Sequence, residues 1–283
     1  MIEPDIPIIP ASSLSSDTAV GSDATASDKR RFVGVENLYG SDGLRKIANA
    51  HVCVIGIGGV GSWVVESLAR SAVGSISMID MDIVSVSNTN RQILATTDTI
   101  GRDKVEVMQQ RILQINPSCK VNAIDDFVTR DNLDTLISEE FDFVIDCIDD
   151  FRTKAALISH CKQAKINVLS VGGAGGQRNP TKVSLSDLSR TQHDVLLATT
   201  RKLLRQDYGF ARNLKRSFGI PCVYSDEQPV YADGLGGVST QKIADQNSGT
   251  LSCAGGLGSI THVTATFGFF ACAYVLDSIT NAN

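Results

Sequence analysis

A chain of 283 residues with 42% hydrophobic and 20% charged side chains has the balance of a soluble globular protein, long enough for one large domain or two small ones around a sizeable core. Its net charge of −5 excludes a polycation, so any nucleic-acid contact has to come from a local basic patch. The seven cysteines include no C-x-x-C pair; that argues against a zinc ribbon and against a secreted disulfide framework, and a reducing cytoplasm is the simplest expectation.

In chain order, residues 1–30 (MIEPDIPIIPASSLSSDTAVGSDATASDKR) are rich in Ser, Thr, Ala, Asp and Pro and carry no apolar period. They read as a disordered leader, with neither the positive start and apolar core of a secretory signal nor the acid-poor, Arg-rich character of a mitochondrial presequence. From residue 40 strands and helices alternate. HVCVIGI is a continuous apolar run, as expected of a strand buried on both faces. A glycine turn follows, then a helix (SWVVESLARSA) and a second strand (SISMID). In RDKVEVMQQRILQIN the spacing of Val105, Met108, Ile112 and Ile115 predicts a helix, which Pro117 stops. KVNAIDD, FDFVIDCID and NVLSVGGAGG read as strands; DNLDTLISEE and FRTKAALISHCKQA read as helices. The pattern predicts a Rossmann-like α/β fold, a mostly parallel sheet with helices on both faces and right-handed crossovers.

Beyond Gly176 the pattern loosens. TKVSLSDL and PCVYSDEQPVY read as strands around a basic helical segment, and residues 232–250 as a Gly-, Ser- and Gln-rich loop. The chain is expected to form one domain over residues 31–283, with a nucleotide-binding core at about 50–176 and an extension at about 177–283 folded back on it. Residues 251–276 carry no Asp, Glu, Lys or Arg and are long enough to span a bilayer. They also hold five Ser/Thr, four Gly and His262, so a buried helix at about 259–279 is favoured over membrane association.

Gly56, Gly58 and Gly61 fit G-x-G-x-x-G between a strand and a helix, a turn whose backbone N–H groups can meet a phosphate. Asp80 ends the second strand, where an acid accepts hydrogen bonds from ribose hydroxyls. These residues alone leave NAD and ATP both open. Asn88, Asn90, Arg91 and Gln92 follow, and Lys104 begins the next helix. Hydride transfer has no use for such a cluster, whereas a reacting triphosphate does. Asp146, Asp149 and Asp150 end the fourth strand, where ligands bind in such sheets, and one carboxylate there suits a magnesium ion bridging phosphates. The competing reading makes Arg91 and Lys104 surface charges and the aspartates helix caps, with Asp150 the best candidate for a cap.

The stretches GIGGVGS, IDMDIVSVSNTNRQ, GRDKVEVMQQRILQINP and DCIDD resemble the adenylating domain of the ThiF/MoeB superfamily, which includes the ubiquitin-activating enzymes, over about residues 32–175. The resemblance implies adenylation of a carboxylate with ATP and Mg2+, and a homodimer. It places Gly59 in the phosphate turn, Asp80 on the ribose with Asp82 nearby, and Asn88 and Arg91 on the phosphates with Asn90 and Gln92 beside them. Lys104 becomes the phosphate lysine and Asp149 the magnesium-side acid, so that Arg91, Lys104 and Asp149 carry the catalysis. The family's N-terminal R-Y-x-R-Q motif supplies an arginine to the partner's site. Arg31 matches its first arginine, but Gly34 stands at the second.

RFVGVENLYG, VSNTNRQ, VGGAGGQRNPTKVSLSDLSRTQHD, PCVYSDE and TATFGF resemble one branch of that superfamily across nearly all of the chain after residue 30. That branch dehydrates threonylcarbamoyladenosine, the modified nucleoside 3′ of the anticodon (position 37), in tRNA. The implied partner is tRNA carrying that nucleoside. A basic segment at residues 201–216 fits: Arg201, Lys202, Arg205, Arg212, Lys215 and Arg216 stand against one Asp, and Tyr208 and Phe210 could stack on a base. The alternative is adenylation of the C-terminus of a ubiquitin-like or sulfur-carrier protein, against which the missing zinc pairs count. An NAD-dependent oxidoreductase and a non-catalytic binding module are the remaining rivals. Cys222 and Cys253 are the candidates for any sulfur or thioester chemistry, with a cysteine desulfurase or sulfur-acceptor protein as partner, although small buried or loop cysteines are favoured. Cys53, Cys147 and Cys161 read as core, and the four histidines have no metal spacing.

Overall fold

The computed structural model describes residues 30–241 and 257–281. Residues 1–29 of the expected leader, Cys253 and the glycines at 255 and 256 lie outside the described residues. Helix α1 (Val33–Asn49) precedes β1 (His51–Ile55), α2 (Gly61–Arg70), β2 (Ser75–Ile79), α3 (Lys104–Ile115) and β3 (Lys120–Ile124). Then come α4 (Leu133–Leu136), β4 (Phe143–Asp146), α5 (Phe151–Ala164), β5 (Val168–Val171), β6 (Val183–Asp187), α6 (Val195–Asp207) and β7 (Pro221–Ser225). A small hairpin of β8 (Tyr231–Ala232) and β9 (Val238–Ser239) and the terminal helix α7 (Thr261–Asn281) complete the chain.

The main sheet has seven strands in the order β3-β2-β1-β4-β5-β7-β6. All neighbours run parallel except the edge pair β6–β7. The expected Rossmann-like architecture is therefore present. The buried apolar strands β1, β4 and β5 form its centre because helices cover both faces. One core packs Val52, Val54 and Ile145 of the strands against Ile47 of α1, Val64 and Leu68 of α2, Met108 and Ile112 of α3, and Phe267 and Val275 of α7. The other packs Cys53, Ile55 and Val144 against Leu133 of α4, Leu157 and Ile158 of α5, and Leu197 and Leu204 of α6.

Helix α7 is long and apolar enough to cross a membrane by length and composition, and half of that window is buried in the fold. Its Gly268 lies against α2 so closely that a Cβ there would meet Trp63 Cβ at 2.8 Å and Val64 N at 3.0 Å. The opposite side leaves Phe269 and Phe270 exposed.

The basic segment departs from the expectation of one helix. Helix α6 ends at Asp207, because Gly209 takes the left-handed conformation (φ +69°) and Phe210 N–H returns to the Leu204 carbonyl at 3.1 Å. Arg212, Lys215 and Arg216 therefore stand on the irregular chain beyond it. The fifth strand likewise ends at Val171, before the glycines.

Between β1 and α2 the chain turns with almost no space. Gly56 has φ +85°, and its N–H donates to the Ile79 carbonyl at 2.9 Å. A Cβ on Gly61 would lie 1.8 Å from the Gly56 carbonyl oxygen, a backbone atom that cannot swing away. Gly61→Ala is expected to cost about 1–3 kcal/mol by overpacking, read as a lower urea midpoint. Gly34→Ala, in a helix with nothing within 4 Å of the new methyl, is expected to be neutral or to stabilise by up to about 1 kcal/mol.

Candidate active site

The carboxyl ends of β1, β2, β4 and β5 open into a cavity of about 470 Å³, a size that suits a small ligand or cofactor. Gly56, Gly58 and Gly59 form its floor, beside the start of α2. Asp80 stands at the end of β2. Its Oδ2 accepts from Ile57 N–H at 2.6 Å and its Oδ1 from Asp82 N–H at 2.8 Å. Burial lifts the Asp80 carboxyl above its ordinary range, although Lys104 and the two N–H groups pull the other way. Lys104 opens α3 and is 4% exposed. Its Nζ lies 2.7 Å from Asp82 Oδ2 and 3.9 Å from Asp80 Oδ1. The two acids thus hold a buried ammonium at the cavity wall.

The turn after β2 carries the next group. Ser85 and Asn88 cap each other's backbone, with Ser85 N–H donating to Asn88 Oδ1 at 3.0 Å. Arg91 Nη1 donates to the Ser87 carbonyl at 2.7 Å and to Asn90 Oδ1 at 3.1 Å. The Arg91 carbonyl accepts from Trp63 Nε1 at 3.0 Å and Thr264 Oγ1 at 3.2 Å, so α2 and α7 clamp this backbone. Gly59 leaves room for the arginine stem: a Cβ there would sit 3.4 Å from Arg91 Cδ. Gln92 is 5% exposed and its Oε1 has no partner among the described residues.

Most of the residues expected at a nucleotide line this cavity: Gly56, Gly58, Gly59, Asp80, Asp82, Asn88, Arg91, Gln92, Lys104 and Asp149. Two do not. Gly61 lies within the first turn of α2 and acts by letting the turn close. Asn90 faces away, donating to the Ser259 carbonyl at 2.7 Å while its own carbonyl accepts from Thr261 Oγ1 at 2.6 Å. It fastens the turn to the approach of α7.

At the end of β4 the structure gives three carboxylates three different positions, with Asp150 the cap that its place before a helix suggested. Asp150 caps α5, accepting from Arg152 and Thr153 N–H at 3.1 and 2.8 Å. Asp146 is fully buried against Lys154 Nζ at 2.7 Å and accepts from Ser170 Oγ at 2.8 Å and Ile148 N–H at 3.1 Å. Asp149 is exposed on the cavity wall, and among the described residues its carboxylate has no hydrogen bond or ion pair. It is the acid of the three left for a cation.

Lys154 was not singled out in the sequence. Its Nζ also donates to the Val171 carbonyl at 2.9 Å, so one buried ammonium joins the ends of β4 and β5 beneath the cavity. The apolar company in FRTKAALISHC was the available signal: a lysine on the buried side of a helix needs a buried acid.

Other candidates are placed elsewhere. Arg31 Nη1 donates to the Ile115 carbonyl at 3.0 Å, at the far end of α3 and about 16 Å from Lys104 along the helix axis. Arg201 hydrogen-bonds Thr191 Oγ1, and Arg205 donates to the Ala211 carbonyl at 3.3 Å with its guanidinium 5.0 Å from the Phe218 ring centre. These two arginines are tied into the fold; Lys202, Arg212, Lys215 and Arg216 are exposed. Phe210 is buried edge-on against Phe218 and so is no stacking platform, while Tyr208 packs beside Arg130. Cys222 is buried in β7 and burial pushes its thiol far up, which fits a core cysteine. Among the described residues no group of three or more His, Cys, Asp or Glu could hold a metal.

A ThiF family model matches residues 30–282. The chain belongs to the ThiF family. A tRNA threonylcarbamoyladenosine dehydratase of Haemophilus influenzae is 49% identical over 251 residues, covering 89% of this chain and 94% of that protein. One from Escherichia coli is 48% identical over 251 residues, with the same coverage. The solved structure of TcdA (CsdL) superposes with a TM-score of 0.83 at 46% identity, over 93% of this chain and 97% of that one. The E. coli dehydratase in complex with ATP gives 0.80 at 45% identity, over 92% and 97%. Within the ThiF family frame, the Asp146–Lys154 pair can be tested for its role as a brace. Lys154→Met strands a buried carboxylate and is expected to cost about 3–5 kcal/mol in urea unfolding, while Asp146→Asn with Lys154→Met recovers most of that loss.

Proposed function

We propose that this protein uses ATP and Mg2+ to activate the carboxylate of the threonylcarbamoyl side chain on adenosine 37 of tRNA, and then closes that side chain into a ring. The observation that carries the reading is one cavity with two halves. Gly56, Gly59, Asp80, Arg91, Lys104 and Asp149 form a phosphate half. The glycines of residues 172–177 form the other. His193, Asp194 and Val195 line both this cavity and a groove that continues to Arg201 and Lys202. The near full-length match to dehydratases of two bacteria, one of them solved with ATP bound, supports the same reading.

In this chemistry a carboxylate oxygen of the threonyl arm attacks the α-phosphorus of ATP, and the bond to pyrophosphate breaks. Arg91 and Lys104 offset the charge that grows on the phosphate oxygens. Asp149 suits a magnesium ion that takes one protein carboxylate and draws its other ligands from phosphates and water. Bound there, the ion would neutralise charge on the leaving pyrophosphate. An internal nucleophile of the same side chain then attacks the activated carbonyl. AMP departs with the former carboxylate oxygen and the nucleophile gives up its proton, so one water is lost overall. Because both reacting groups belong to one arm, positioning supplies much of the rate, with effective molarities on the order of 10⁵ M or more.

Within the basic segment, Lys202, Arg212, Lys215 and Arg216 are the exposed charges that suit tRNA phosphates. A homodimer fits the exposed Leu38 of α1 and Phe269 and Phe270 of α7, and a cytoplasmic setting fits a tRNA substrate.

Incubation with ATP, Mg2+ and tRNA carrying threonylcarbamoyladenosine is expected to convert that nucleoside to a product lighter by one water, read by mass spectrometry. An unchanged nucleoside alongside intact ATP–pyrophosphate exchange would point to a protein carboxylate instead. Asp149→Asn is expected to slow the reaction by about 10²-fold or more. The double reversal Arg212→Glu with Lys215→Glu is expected to weaken tRNA binding and flatten its salt dependence by about one unit per lost phosphate contact, with ATP affinity unchanged. Equal loss of both ligands would refute the basic segment as a tRNA surface.

A further inference from the structure

We infer that Gln177 recognises the ureido N–H of the threonylcarbamoyl arm, and that Asp194 positions it through the Gly173 peptide. The inference rests on the function proposed above and names the residue that orients the arm for ring closure.

Gln177 is 4% exposed and lines the half of the cavity away from the phosphate residues. Its Nε2 donates to the Gly173 carbonyl at 3.0 Å. That contact fixes the amide, since the reversed orientation would set oxygen against oxygen. The other end of the amide, Oε1, is buried and has no donor among the described residues. Buried side-chain acceptors are nearly always paired in folded proteins, so this oxygen calls for a donor, and an N–H of a ligand in the cavity can supply it.

The surrounding chain is built to keep it there. Gly173 N–H donates to Asp194 Oδ2 at 2.8 Å, and Asp194 Oδ1 accepts from Leu197 N–H at 2.8 Å as the cap of α6. Asp194 is itself buried, and a Cβ on Gly172 would meet its Oδ2 at 2.2 Å, so a glycine is required for this approach. Gly176 turns the chain with φ +77°; its N–H donates to the Gly258 carbonyl at 2.7 Å and its carbonyl accepts from Val230 N–H at 2.9 Å. Residues 172–177 are thus fastened to three separate segments. The series Asp194–Gly173–Gln177 passes the position of the α6 cap to one amide oxygen.

The ligand chemistry follows from what that oxygen accepts. It cannot bind a carboxylate or a phosphate, both of which are acceptors. The threonylcarbamoyl arm brings two ureido N–H groups close to the carboxylate that is to be activated, and ring closure, whether through a ureido nitrogen or the ureido oxygen, ends with loss of one ureido proton. ATP also has donors, its ribose hydroxyls and its adenine amino group; the ribose side belongs to Asp80, and the adenine amino group is the alternative that the ATP-affinity measurement below separates. Among the described residues the other unpaired amide oxygen belongs to Gln92, whose Nε2 faces Gly58 in the phosphate half. Gln177 therefore falls to the modified nucleoside.

The test uses the full-length protein, ATP, Mg2+ and tRNA carrying threonylcarbamoyladenosine. Wild type must first dehydrate the nucleoside; if it does not, the functional reading fails and not this assignment. Given that activity, Gln177→Met, which keeps the length and removes the acceptor, is expected to lower the single-turnover rate about 10- to 100-fold. Its Kd for ATP and for tRNA is expected to stay within about twofold, since phosphate contacts dominate tRNA affinity. Gln177→Asn keeps the amide but shortens the reach; it is expected to show the same loss and guards against misfolding of the first variant. Asp194→Asn is expected to lower the rate less, again without moving either Kd. Full activity of a folded Gln177→Met variant would overturn the assignment. So would a parallel fall in ATP affinity, which would hand the residue to the nucleotide, or in the urea midpoint, which would make it structural.

Discussion

The cavity exists because β1 and β4 lie side by side in the sheet but send their connections to opposite faces. β1 runs into α2 on the face that carries α1, α3 and α7, and β4 runs into α5 on the face that carries α4 and α6. The chain parts above the two strand ends and leaves a crevice that no side chain of the core can fill. Into it the helix start of α2 can point only if the turn before it is nearly bare, and the Gly56–Gly61 contact meets that condition. What stands around the crevice then follows from where each neighbouring strand ends: Asp80 and Asp82 after β2, Asp149 after β4, the glycines of residues 172–177 after β5.

Charge is sorted around this crevice by burial. Fully buried Asp146 and Lys154 satisfy each other and tie β4 to β5. Such a pair is a poor source of stability in itself, since desolvation offsets much of the attraction. Its consequence is geometric: the two loops that rise from β4 and β5 start from fixed points. One step outward, Lys104 is buried but rests on Asp82, whose own side chain is mostly exposed. A lysine with a partner at the rim can exchange that carboxylate for a phosphate when a nucleotide arrives. Furthest out, Asp149 is uncommitted. The order from braced to available runs from the sheet toward solvent, as a site that must bind a highly charged molecule and release its fragments requires.

Legibility in the sequence followed the same gradient. The positions of the central strands and the glycine turn were readable because continuous apolar runs and G-x-G-x-x-G reflect constraints local to a few residues. Asp80, Arg91 and Lys104 were readable as cavity residues because an acid at a strand end and cations in the turn and helix start that follow it suit a triphosphate. Of the aspartates of DCIDD, Asp150 read as a cap and the resemblance pointed to Asp149, but the brace role of Asp146 was not readable, since it depends on Lys154, a residue eight positions on whose partner is set by the sheet. Asn90 looked like its neighbours Asn88 and Arg91, yet the turn carries its side chain toward Ser259, far away in sequence. The basic segment read as one surface, but Arg201 and Arg205 fold inward onto Thr191 and Phe218 while Arg212 and Lys215 do not. Identity of charge is a sequence property; which charges stay in water is a tertiary one.

The walls also bear on where the second chemical step finds its nucleophile. An activated carbonyl in this cavity could be taken by a protein thiol, as in thioester relays. Cys147 lines the cavity, yet burial pushes its thiol up to about 12, against a weaker opposing pull from Lys154. It stays protonated at neutral pH and offers no thiolate. Cys222 sits nearby in β7 under a still stronger burial effect. Among the described residues, then, the cavity offers no thiolate; its cations, carboxylates, amide acceptors and glycine backbone are groups that can orient and neutralise. A site furnished in that way suits a substrate that brings its own nucleophile on the same arm as the carboxylate, because the remaining task is to hold the two in contact while AMP leaves.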